Sequence, residues 1–87
     1  MTVTVELTYD MSKALGVDRF EVEGAQTVDD VVRLTRQRFG DQAAQFEQLT
    51  RVAAVVVNGV MVNHRSGMKT RLTDGDTVGF VKAAAGG

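Results

Sequence analysis

The chain has no cysteine, no proline and no tryptophan among its 87 residues. Without cysteine there is no disulfide, no thiolate metal site and no sulfur nucleophile of its own. That fits a reducing compartment, and a cytoplasmic location is expected. Without proline, no native cis-prolyl bond slows folding. Neither sign of charge is in excess: 10 basic and 11 acidic residues leave a net charge of −1. No electrostatic footprint for nucleic acid or an anionic membrane results. No apolar run approaches the roughly 20 residues of a membrane span. The N-terminus goes directly into a strand pattern, so no secretory leader is expected.

What is present is periodicity. Thr2 to Tyr9 alternates strictly, with Val3, Val5, Leu7 and Tyr9 on one face of a half-buried strand. Asp10 to Gly16 reads as a connection. Val17 to Glu23 alternates again, Phe20 and Val22 facing inward, and pairs with the first strand as a hairpin. Thr27 opens a helix as N-cap, with Asp30 as the acidic member of a capping box. The helix runs to about Phe39 and stops at Gly40. Val28, Val31, Val32, Thr35 and Phe39 form its apolar stripe, with Leu34 at the margin. Asp29 and Arg33 are spaced for an i,i+4 pair.

Asp41 to Leu49 predicts a second, short helical turn bearing Ala43, Ala44, Phe46 and Leu49. The run Val52–Val57 is β-branched and too short for most helices, so it reads as a strand buried on both faces. Asn58-Gly59 is a strong hairpin signal, returning the chain through Val60–Val62. A polar, basic loop from His64 to Thr73 and a tight turn at Asp74-Gly75-Asp76 lead to a last strand, Thr77 to Lys82. The order β-β-α-(short helix)-β-β-β predicts an α+β roll of the β-grasp type. About five strands form a mixed sheet packed on one main helix, the first and last strands being inner ones. Residues 1–82 make this domain. Residues 83–87, Ala-Ala-Ala-Gly-Gly, are expected to form a flexible tail whose terminal carboxylate has no side chain beside it.

Three features in order, Val57-Asn58-Gly59, then Leu72 to Val78, then Gly86-Gly87, span nearly the whole chain. With them the sequence resembles the ubiquitin-like sulfur carrier proteins of the MoaD/ThiS family. These are the molybdopterin synthase small subunit and the thiamine-pathway and cysteine-pathway carriers. Several members have a proline just after the last strand, where this chain has Lys82-Ala83-Ala84.

The resemblance implies a carrier and not an enzyme. An E1-like enzyme, using its own ATP and Mg²⁺, would adenylate the C-terminal carboxylate of Gly87 and replace an oxygen with sulfur. The resulting thiocarboxylate would serve an acceptor synthase or other sulfur-accepting enzyme. Gly86, Ala85 and Ala84 would thread the partner's channel. No cofactor or metal is expected on the chain, and no nucleic-acid or membrane partner. The docking surface would be the sheet face away from the helix, with Met61, Phe80 and Val81 at its centre and Arg71 and Lys82 at its rim. Core packing is the competing account of Phe80 and Val81. A ubiquitin-like modifier joined to lysine and a non-conjugating interaction module are the alternative functions. His64, the single histidine, has no acid or thiol beside it in sequence and reads as an exposed bystander. The arginines of the main helix alternate with acids and read as a solvated face. Asp74 and Asp76 lack the further ligands of a calcium loop.

Overall fold

The alternation at the start of the chain produces β1 (Thr2–Glu6), in which Val3 and Val5 are fully buried. The computed structural model describes residues 1–62 and 66–82. The expected strand ends early. The Thr8 hydroxyl accepts a hydrogen bond from the Met11 N–H at 3.0 Å and caps a helix, α1 (Tyr9–Leu15), where a connection was expected. Tyr9 therefore points to solvent, while Met11 and Leu15, one turn apart, are buried. α1 stops at Gly16, whose φ of 80° turns the chain. β2 (Arg19–Glu23) then runs antiparallel to β1, Phe20 opposite Val5 and Val22 opposite Val3.

The main helix, α2 (Val28–Phe39), begins with the expected capping box. Asp30 N–H donates to the Thr27 hydroxyl at 3.2 Å, and the Asp30 carboxylate accepts from the N–H groups of Gln26 and Thr27. The Gln26 N–H foremost, then the Arg33 guanidinium and the Thr27 N–H, hold the Asp30 carboxyl below its ordinary range. Arg33 pairs with Asp30, three residues away, and not with Asp29 as the spacing suggested. A 3₁₀ turn (Gly40–Gln42) leads to α3 (Ala43–Thr50), where Phe46 is buried and Ala44 exposed.

β3 (Ala53–Val57), β4 (Val60–Val62) and β5 (Thr77–Lys82) complete one sheet of order β2-β1-β5-β3-β4. β1 and β5 pair in parallel at its middle, and all other pairs are antiparallel. The helices cover one face. There the four phenylalanines form a chain across β2, α2, α3 and β5: Phe20–Phe39, Phe39–Phe46 and Phe46–Phe80, with centroids 5.9, 5.7 and 5.7 Å apart. The Arg38 guanidinium lies over the outer ring of that chain, 4.4 Å from the Phe20 centroid.

The turns at Asn58-Gly59 and at Thr73–Asp76 make one network. Asn58 and Gly59 both have positive φ, 50° and 84°, the conformation of a type I′ hairpin. The Asn58 side chain reaches across to the start of β5. Its amide N–H donates to Asp76 at 3.0 Å, and its carbonyl accepts from the Thr77 N–H at 2.9 Å. Asp76 also accepts from the Thr73 N–H at 2.8 Å, closing the Thr73–Asp76 turn. Thr73 foremost, then Asn58, holds the Asp76 carboxyl below its ordinary range.

Two outcomes test this packing. Thr35 is fully buried on α2, and its hydroxyl has no hydrogen-bond partner among the described residues. Thr35→Val should raise stability to denaturant by about 1 kcal/mol, and a loss would mean that the hydroxyl is satisfied. Asp76 contributes stability above the unfolded carboxylate value of about 3.9, and that contribution disappears as pH falls through its lower folded value. At neutral pH Asp76→Asn should therefore unfold at lower urea concentration than the parent. The gap should narrow on acidification below about pH 4, and a gap that widens would contradict the network.

Candidate functional site

In a strand, alternate residues face opposite sides of the sheet, so the register of the five strands maps the face that no helix covers. One row across it reads Met61, Val56, Gly79, Glu6, Arg19, each residue opposite the next. Ala54 and Val81 pair in the row beyond, nearer the end of β5. Thr77, Thr4 and Glu21 form the row on the other side, followed by Thr2 opposite Glu23. The face is thus divided. Its β4-β3-β5 corner is apolar and adjoins the point where β5 ends at Lys82. Its β1-β2 side carries Glu6, Glu21 and Glu23.

Met61 is 67% exposed and Val81 41% exposed, a pair of large apolar side chains presented to water on this corner. The other expected docking residues divide. Phe80 is a correction: at 4% exposure it belongs to the core, stacked edge-on against Phe46. Its position in β5 makes it alternate with Val81, so only one of the two reaches the open face. Arg71 is exposed but lies off the five strands, in a segment bridged to Thr27 at the start of α2. Lys82 is exposed at the end of β5 and has the parity of Phe80, on the helix side. Gly87, Gly86, Ala85 and Ala84 lie outside the described residues, as does His64.

Val56, Ala54 and Gly79 belong to the open face and were not anticipated. The unbroken apolar run of β3 hid the alternation that sends Val55 inward and Val56 outward. Gly79 lies beneath Val56: a Cβ there would come 3.0 Å from the Val56 Cγ2. Gly79 lines a groove of ≈ 480 Å³ between β5 and the end of β1.

On the helix side, an apolar hollow of ≈ 300 Å³ is lined by Val32, Thr50, Arg51, Val55, Met68 and Phe80, without a carboxylate or imidazole among them. Asp74 and Asp76 are taken up by backbone and side-chain donors, from Thr2 in one case and from Thr73 and Asn58 in the other. No group of three potential metal ligands occurs among the described residues. None of the described helices is long and apolar enough to cross a membrane.

The family model described as "ThiS family" matches residues 11–87. No curated protein sequence matches the chain. Among solved structures, a chain of the Amycolatopsis orientalis BexX/CysO complex is 29% identical, with a TM-score of 0.73 over 98% of this chain and 99% of that one. The Haloferax volcanii HVO 2177 protein is 28% identical, with a TM-score of 0.74 over 100% of this chain and 87% of that one. A chain of the complex of molybdopterin-converting factor subunits 1 and 2 from Helicobacter pylori shares the fold, at 20% identity and a TM-score of 0.65 over the full length of both.

The division between core and open face gives a mutational contrast. Phe80→Ala should cost about 3–5 kcal/mol of stability. Met61→Ser and Val81→Ser should each stay within about 0.5 kcal/mol of the parent. Denaturant titration measures all three, and a large loss at Met61 or Val81 would mean that these side chains are packed and not presented.

Proposed function

The chain belongs to the ThiS family, among the ubiquitin-like sulfur carriers of MoaD/ThiS type, and on that premise we propose that sulfur is carried on the carboxyl carbon of Gly87. The observation that supports this most is where β5 lies. It runs through the middle of the sheet and ends at Lys82 beside the apolar corner of the open face, five residues before Gly87. Five extended residues span about 15 Å or slightly more. That is reach enough for a partner seated on the face to receive the tail in a channel. Ala83, Ala84, Ala85 and Gly86 carry at most a methyl group, so the channel can be narrow.

A carboxylate is a poor electrophile, being an anion with no leaving group. In the proposed cycle an E1-like enzyme supplies ATP and Mg²⁺. A Gly87 carboxylate oxygen attacks the α-phosphorus and pyrophosphate leaves. Hydrosulfide then attacks the acyl carbon of the mixed anhydride, AMP leaves, and loss of the S–H proton gives the thiocarboxylate. The thiocarboxylate, ionised at neutral pH, attacks an electrophilic carbon of the acceptor through its sulfur and displaces that carbon's leaving group. Hydrolysis of the resulting acyl–sulfur bond leaves the sulfur on the product and restores the Gly87 carboxylate. The chain itself contributes a rigid docking face and an unhindered terminus, and every catalytic group belongs to a partner. The Amycolatopsis orientalis structure pairs BexX with CysO, which supports a protein that works docked on a second one. The acceptor's own chemistry decides whether the sulfur enters molybdopterin, cysteine, thiamine or another metabolite.

Incubation with an E1-like enzyme from the same organism, ATP, Mg²⁺ and sulfide should raise the intact mass by the difference between sulfur and oxygen. Deleting Gly87 should abolish the gain. A gain that survives the deletion would refute the assignment. A ladder of conjugates on a denaturing gel in place of the thiolated protein would mean a modifier.

A further inference from the structure

The groove at Gly79 is not uniformly apolar. Its floor is the bare backbone of Gly79, one wall is Val56 and Val81, and the opposite wall is Glu6, Asp18 and Arg19. It exists because two strands of unequal reach lie side by side. β1 pairs with β5 only as far as Glu6 opposite Gly79 and then turns away into α1. β5 continues to Lys82 against β3 alone. On the charged wall one cation meets two carboxylates. Arg19 pairs with Glu6 at 3.6 Å, both side chains about half exposed or more, and Asp18 is exposed and forms no ion pair among the described residues.

A side chain entering this groove meets aliphatic surface along its length and negative charge at its tip. That combination fits a long cationic side chain. Arginine suits it best: its three-carbon stem packs on Val56 and Val81, and its planar fork spans carboxylates. We propose that the protein docking on the open face inserts an arginine across Gly79, its guanidinium directed at Asp18 and Glu6. Beyond the same groove the β1-β2 side adds the carboxylate of Glu21, while that of Glu23 is paired with the N-terminal ammonium at 3.6 Å. The partner is thus a protein surface with apolar residues opposite Met61 and Val81 and a basic flank over β1 and β2. The inference rests on the sulfur-carrier reading, since the groove opens beside the end of β5 from which the tail leaves.

The effects of charge and shape can be separated. With an E1-like enzyme of the same organism as probe, rates of thiolation are measured against carrier concentration for the parent, Asp18→Asn, Glu6→Gln, Arg19→Gln and Gly79→Ala, at low and at high salt. Asp18→Asn and Glu6→Gln should raise KM about five-fold at low salt with kcat unchanged, and the effect should fade at high salt. Arg19→Gln should lower KM, because it removes the cation that competes for Glu6. A merely structural role for the Arg19–Glu6 pair would not give that sign. Gly79→Ala should raise KM at both salt concentrations, with circular dichroism reporting whether it is folded. Unchanged KM in both carboxylate variants, or a raised KM in Arg19→Gln, would overturn the arginine groove while leaving sulfur carriage intact. Failure of the parent to gain mass would instead remove the function on which both rest.

Discussion

The clamp between Asn58 and Asp76 is the interaction on which the working part of the molecule depends. The Asn58 side chain ties the hairpin of β3 and β4 to Asp76 and to Thr77, the first residue of β5, by one hydrogen bond each, and Asp76 in turn holds the turn that feeds β5 into the sheet. Further backbone bonds from Thr4 N–H to the Asp76 carbonyl and from Gly75 N–H to the Thr2 carbonyl fix that same turn to β1. β5 is thereby seated between β1 and β3, in register with both. Everything proposed of the open face follows from that register, because a slip of one residue would turn Val81 inward and bring Phe80 to the surface.

The clamp also makes physical sense of two short motifs. Asn-Gly and Asp-Gly-Asp are common turns taken singly. Here they are two halves of one contact, and it needs an amide at position 58, able to donate to one group and accept from another. A carboxylate at 58 would face the Asp76 carboxylate. An aliphatic side chain would leave the Thr77 N–H without its acceptor.

Much of the fold was legible because local signals and tertiary packing agree. The alternation of β1, the capping box of α2, its stop at Gly40 and the hairpin at Asn58-Gly59 each encode their structure within a few residues. Other features needed the whole molecule. α1 was hidden because Tyr9 continues the alternation of β1, and only the Thr8 cap and the burial of Met11 and Leu15 make the next residues helical. Phe80 and Val81 are adjacent apolar residues, and nothing in their chemistry says which faces the helices. The answer lies in the pairing of β5 with β1 and β3. The roles of Val56 and Gly79 are illegible in the sequence for the same reason, since neither an unbroken apolar run nor an isolated strand glycine shows an orientation.

The family match, the shared fold and the position of β5 support one division of labour. In the proposed reading the sheet provides recognition, and the catalysis belongs to the protein that binds it. Amide chemical-shift mapping of the isotope-labelled protein, titrated with an E1-like enzyme of the same organism, tests this most directly. Shifts or line broadening are expected at Val56, Met61, Gly79 and Val81, with the outer face of α2 around Arg33 and Arg36 undisturbed. Perturbation centred on α2, with the open sheet face silent, would contradict it.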